Sequence, residues 1–148
     1  MIEIVKAEEK YFEYLCTTQN NTLLYHSKFD SEYAIIKDIQ STKNFISTQN
    51  LSFVALCDNN PVGAVVGESV LEPSGRTSPF AHLRNIWVDK DYRHKGIAQM
   101  LIETFESEAK IKGCKYVDLH VDVQNDSALN FWNKQNYNTY QERKRRLI

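Results

Sequence analysis

The chain has 148 residues, 42% of them hydrophobic and 25% charged, with a formal net charge of −1. That length fits one domain spanning residues 1–148, and the near-neutral charge gives no sign of a nucleic-acid-binding surface. Three widely spaced cysteines (Cys16, Cys57, Cys114) argue against a disulfide framework. With no basic-then-apolar start and no apolar run of about 18 residues, the expectation is a cytoplasmic chain without a membrane span.

The alternation around Ile2 and Ile4 predicts a first strand. Glu8 to Leu24 predicts a helix with Tyr11, Phe12, Leu15 and Cys16 on one face. Asp30 or Ser31 is expected to cap a second helix that turns Ile35, Ile36, Ile39 and Ile46 inward. Leu51 to Cys57 is an apolar strand, and Asp58-Asn59-Asn60-Pro61 is a turn by composition, so a hairpin should return through Val62 to Val70. A loop with two prolines and one glycine, residues 72–79, leads to a strand from Ala81 to Val88.

A helix from Ile97 to Lys112 follows, with Ile97, Leu101, Thr104 and Phe105 along one side and Gly113 placed to end it. Tyr116 to Val123 reads as a strand. Asn125 or Asp126 caps a short helix carrying Ala128, Leu129, Phe131 and Trp132, and Tyr137 to Ile148 is expected to form a last strand. The order is β-α-α-β-β-β-α-β-α-β: a mixed α/β sheet with early antiparallel hairpins, a late parallel crossover and helices on both faces.

The most informative stretch lies between the strand ending at Val88 and the helix starting at Ile97. It carries Arg93-His94-Lys95-Gly96-Ile97-Ala98. First-turn helix amides have no intrahelical partner, and the helix dipole adds positive character there. Arg93 and Lys95 add two charges, and Gly96 permits close backbone approach. This turn is built to hold a pyrophosphate.

The turn, the preceding Ile86-Trp87-Val88-Asp89, and Asn125-Asp126-Ser127-Ala128-Leu129-Asn130-Phe131-Trp132-Asn133-Lys134-Gln135-Asn136-Tyr137 together resemble the GNAT superfamily of acyl-CoA N-acyltransferases. Two departures stand out. Trp132 occupies the position of the family's tyrosine, often the acid for the leaving thiolate, and an indole N–H donates hydrogen bonds but no proton. The family's Gly-Phe pair is Asn136-Tyr137.

The resemblance implies direct acetyl transfer from acetyl-CoA, as cosubstrate and without a metal, to a primary amine. It assigns the pyrophosphate to Arg93, His94, Lys95, Gly96, Ile97 and Ala98, and the pantetheine arm to the backbone of Ile86 and Val88. The 116–123 strand should splay to admit the arm, with Asn125 beside it and Trp132 walling the thioester pocket. An amide near Val88 would steady the oxyanion. The base position falls on His82, six residues before the valine, with Glu68 on the neighbouring strand as the alternative; strand alternation would set His82, Arg84, Ile86 and Val88 on one face. Tyr137, Tyr140 or water would then reprotonate the thiolate.

Asp118, His120 and Asp122 alternate along a strand and read better as a polar stripe than as a metal site. Arg143-Lys144-Arg145-Arg146 reads as a solvated edge. Asp30, Glu32, Glu68 and Glu72 lie in or beside the regions expected to set specificity. The leading expectation is an enzyme acting on a small-molecule amine. The alternatives are a protein or peptide amine acetyltransferase and a non-catalytic acyl-CoA-binding module, the latter motivated by Trp132. The short C-terminal segment leaves room for strand sharing in a homodimer.

Overall fold

A computed structural model describes residues 1–33, 38–71, 75 and 77–148. Its elements are β1 (Ile2–Lys6), α1 (Phe12–His26), α2 (Ile39–Thr48), β2 (Leu51–Cys57), β3 (Asn60–Val70), β4 (Phe80–Val88), α3 (Ile97–Ile111), β5 (Val117–Asp118) and α4 (Asp126–Lys134). The five strands lie side by side in chain order. The first four pair antiparallel and β5 joins β4 in parallel.

Asp58 and Asn59 turn the β2–β3 hairpin with φ of 49° and 68°. Positive φ at both central positions is the two-residue turn that matches strand twist, and Asp and Asn tolerate it.

Strand alternation sends two sets of side chains to opposite faces. One set, including Phe53, Val65 and Leu83, packs under Leu101, Phe105 and Ala109 of α3 and Trp132 of α4. The other, Val54, Leu56, Ala64 and Val66, packs under Leu15 of α1 and Ile46 of α2. The sheet is thus covered on both faces, as the element order predicts.

Four expectations need correction. The cap of α2 is Asp38, whose carboxylate accepts from the Gln40 amide at 2.9 Å. Asp30 instead turns its own segment, accepting from the Glu32 amide at 3.1 Å. Ile46 is buried but Ile39 is half exposed, because a helix starting at residue 39 turns its first residue outward; Ile35 and Ile36 lie outside the described residues.

The strand expected over Tyr116 to Val123 shrinks to the pairs Ala81↔Val117 and His82↔Asp118. The strand expected over Tyr137 to Ile148 does not form. Asn136 takes a φ of 63°, and the Tyr137 amide turns back to the Trp132 carbonyl at 3.0 Å, closing α4. Beyond it the chain is held by side chains. Tyr140 reaches Asp118 at 2.8 Å, and Arg145 grips both oxygens of Asp30 at 3.1 and 2.7 Å.

Candidate active site

The site begins with a one-residue irregularity in β4. Val66 pairs with Asn85, but Gly67 pairs with Leu83, so Arg84 is an extra residue in the ladder. Such a bulge re-aims side chains. It corrects the expectation that His82, Arg84, Ile86 and Val88 share a face. Ile86 and Val88 pack with the core beneath α3. His82, opposite Glu68, and Asn85, opposite Val66, lie towards α1.

Among the described residues, β4 has no ladder partner on its β5 side past His82. The Asp89 amide crosses to the Val62 carbonyl of β3, whereas the Val88 carbonyl faces the other edge and accepts from Arg93 Nε at 2.8 Å. Main-chain groups of alternate residues share an edge, so those of Ile86 point the same way. An open strand edge here fits an extended ligand arm.

The turn follows directly. A 3₁₀ turn at Lys90–Tyr92 is followed by His94 and Gly96 with φ of 61° and 81°. Around Gly96 a Cβ would meet nothing within 4 Å, so the αL glycine faces open space. Arg93, His94, Lys95 and Gly96 are exposed; Ile97 is buried and anchors α3, with Ala98 half-buried beside it. Arg93 stacks 4.9 Å above the Trp87 ring while holding the Val88 carbonyl, so it braces the turn against β4. Asp89 is fixed by two donors at 3.1 Å, Trp87 Nε1 and the Tyr14 hydroxyl of α1. Burial, and then the Asp89 carboxylate, push the Tyr14 hydroxyl well above its ordinary pKa.

A polar cluster fills the mouth between β4 and β5. His82 Nδ1 lies 2.5 Å from Asp118 Oδ1, and both side chains are largely buried. Asp118 Oδ2 accepts from Tyr140. His120 meets His82 edge to face at 5.0 Å. Partial burial lowers the His120 pKa, as do the neighbouring His82, Arg143 and Arg84, while Asp118 opposes them. Glu68 pairs with Arg84 through one carboxylate oxygen, with Nε at 3.0 Å. Asp30 is committed to Arg145, and Glu72 lies outside the described residues. Asp118, seen in the sequence as part of a stripe, is the residue that couples to His82; the signal was its alternation, but its partner sits 36 residues away.

Asn125 is buried and caps α4, accepting from the Ala128 amide at 3.2 Å. Trp132 is 8% exposed and packs between Phe131 and Tyr137, each ring centred 5.0 Å away. The Tyr137 hydroxyl faces Glu106 of α3 at 3.3 Å; burial, and then Glu106, raise its pKa. The three cysteines are free thiols. Among the described residues, no His, Cys, Asp and Glu side chains gather as a metal site, and no helix is long and apolar enough to cross a membrane.

A mixed α/β sheet covered on both faces, with a strand that loses its parallel neighbour just before an exposed turn into a helix, defines the class of protein. The chain belongs to the acetyltransferase (GNAT) family, which it matches over residues 5–137. Among curated proteins it is 33% identical over 89 residues to N-alpha-acetyltransferase daf-31 of Caenorhabditis elegans, covering 59% of this chain and 48% of that one. It is 34% identical over 85 residues to aminoglycoside N(6')-acetyltransferase type 1 of Acinetobacter genomosp. 13, covering 55% and 54%. The chain thus spans about half the length of the curated relatives it matches. Its fold is shared with the BH1408 protein of Bacillus halodurans, at TM-score 0.82, 17% identity and 99% coverage of both chains. It is also shared with aminoglycoside N-acetyltransferase AAC(6')-Iy in complex with CoA, at TM-score 0.75 and 14% identity, over 100% of this chain and 95% of that one.

Proposed function

We propose that this chain transfers an acetyl group from acetyl-CoA directly to a primary amine of a small molecule. The observation that carries the reading is the open β4 edge at Ile86 and Val88, running into the exposed residues 93–96 with the αL glycine Gly96 at the start of α3. An acyl pantetheine arm would add along that edge as a strand adds to a sheet. The pyrophosphate would sit on the amides at the start of α3, with Lys95 nearby.

Chemistry would proceed beside the bulge. His82 takes a proton from the substrate ammonium through Nε2, because Asp118 holds Nδ1. The free amine attacks the thioester carbonyl, the C–N bond forms, and the C–S bond breaks with release of the CoA thiolate. A main-chain N–H near Val88 steadies the negative oxygen in between. The thiolate takes its proton from water or from Tyr140, whose hydroxyl already lies on Asp118. Glu68, engaged by Arg84, is the less available base. Tyr137 faces α3 instead. Trp132, packed in the core, serves as a wall.

A second reading, acetylation of a peptide or protein amino terminus, is favoured by the 33% identity to an N-alpha-acetyltransferase.

The deciding experiment is release of CoA thiol from acetyl-CoA across polyamines, aminoglycosides, amino acids, arylalkylamines and short peptides, with Gly96→Glu as the dead control. Turnover of a small amine, lost in the control, supports the first reading. Turnover confined to peptides moves the assignment to the second. Acetyl-CoA binding with no turnover at all sinks both and leaves a binding module.

A further inference from the structure

Asn85 is 8% exposed, and one atom of its side-chain amide is buried without a hydrogen-bond partner. It follows the bulge residue Arg84, in the part of β4 that has lost its β5 neighbour, and it lies towards α1 as His82 does. A buried polar side chain costs stability unless it is satisfied, so an orphan at this place calls for a reason.

Proton counting identifies the orphan. The Thr22 hydroxyl lies 2.9 Å from the Thr18 carbonyl and 2.7 Å from the nearer Asn85 amide atom. With Oδ1 turned to Thr22, one hydroxyl proton faces two acceptors and the Asn85 Nδ2 donor stays buried and unpaired. Half a turn of the amide removes both conflicts. Nδ2 then donates to Thr22, and Thr22 donates to Thr18. The atom left over is Oδ1, a carbonyl acceptor, and an under-used carbonyl is tolerated far better than an orphaned N–H.

We propose that Asn85 is a substrate-binding residue whose side-chain carbonyl accepts a hydrogen bond from the N–H of the acceptor amine, holding it beside His82. The assignment rests on the acetyltransferase reading above. The matching ligand class is a protonated amine, since a buried neutral acceptor rewards a charged donor without itself requiring a counter-ion. Thr22 and Thr18 hold the amide in the receiving orientation before substrate arrives.

The test is steady-state kinetics of the wild type, Asn85→Leu and Asn85→Asp at saturating acetyl-CoA, with spermidine, kanamycin and a free-amino-terminal tetrapeptide as acceptors. Melting temperature and acetyl-CoA affinity serve as controls for folding. For the acceptor the wild type uses, Asn85→Leu should raise KM about ten- to a hundredfold, the size of a lost buried hydrogen bond to a charged group, while acetyl-CoA affinity stays within about twofold. Asn85→Asp keeps an acceptor oxygen at the same place and should hold the acceptor KM at or below the wild-type value. An unchanged KM in Asn85→Leu overturns the proposal. So does an Asn85→Asp variant as impaired as Asn85→Leu, because the buried atom would then be the donor. Wild-type protein that binds acetyl-CoA but acetylates none of the three overturns the small-amine reading and this assignment with it.

Discussion

The Tyr14 hydroxyl donates to Asp89 Oδ1 at 3.1 Å, joining α1 to the first residue after β4 across 75 positions of sequence. The same oxygen receives the Trp87 indole N–H. Two donors on one carboxylate oxygen fix the point where the strand hands over to the phosphate turn.

Removing one of them should loosen that point. Tyr14→Phe should cost about 1–2 kcal/mol in urea denaturation, in the range for a partly buried hydrogen bond to a charged group. The pH dependence has a definite sign. Burial and Asp89 raise the folded-state pKa of Tyr14, so the folded state keeps a proton that the unfolded chain loses near its ordinary value of 10.0. The tyrosine's contribution is complete below that pH and is lost as pH rises above it. Tyr14→Phe should therefore show a shallower alkaline loss of stability than the wild type. Equal slopes would mean that Tyr14 ionises as freely folded as unfolded.

Gly96 bears on binding more than on folding. A Cβ there meets nothing, but φ is 81°, so Gly96→Ala should cost about 1 kcal/mol of stability for the left-handed backbone. The methyl would occupy the open space assigned to the pyrophosphate. Acetyl-CoA affinity measured by calorimetry should fall by more than the stability loss accounts for. Affinity equal to the wild type would move the phosphate site off this turn.

Much of this architecture was legible because hydrophobic period and turn chemistry are local. Leu51 to Cys57, the Asp58-Asn59 turn, α3 and the Asn125 cap each carry their signal within a few residues. The bulge at Arg84 does not. A single extra residue leaves the alternation of His82, Arg84, Ile86 and Val88 intact on paper while the ladder divides them between two faces. The His82–Asp118 contact depends on β5 docking beside β4 for two residue pairs, which no local pattern encodes. The strand expected over Tyr137 to Ile148 does not form because Glu142 to Arg146 are all exposed and the short β5 offers no ladder to join. The Asp30–Arg145 pair spans 115 residues and shows what holds that segment instead. Asp30 and Asp38 carry the same capping signal, and only the position of the first helical turn separates them.

Packing around the bulge makes Gly67 a sharp probe. A Cβ at Gly67 would lie 2.5 Å from both the His82 carbonyl and the Phe105 ring. The ring is fully buried and the carbonyl is backbone, so neither can retreat cheaply. Gly67→Ala should destabilise the fold on the order of 3 kcal/mol, the upper range for overpacking a core. It should also disturb His82, whose own carbonyl is displaced. Thermal melting and a fall in kcat should therefore move together; a stable, fully active variant would show that β3 and β4 can separate here without consequence.

His120 reports on the charge around the proposed base. Partial burial, His82, Arg143 and Arg84 all lower its pKa, against the opposing pull of Asp118. Its imidazole signal in an NMR titration should therefore move at a pH below the ordinary 6.5. The linkage sign follows: between 6.5 and the folded value the unfolded chain binds the proton and the folded chain does not, so stability falls as pH drops through that interval. Arg84→Gln removes one of the cations and should bring the His120 titration back towards 6.5. Asp118→Asn removes the opposing charge and should push it further down. If Asp118→Asn instead raised the His120 pKa, the two histidines would not be sharing one electrostatic site, and the pairing of His82 with Asp118 would lose its role in setting that site's protonation.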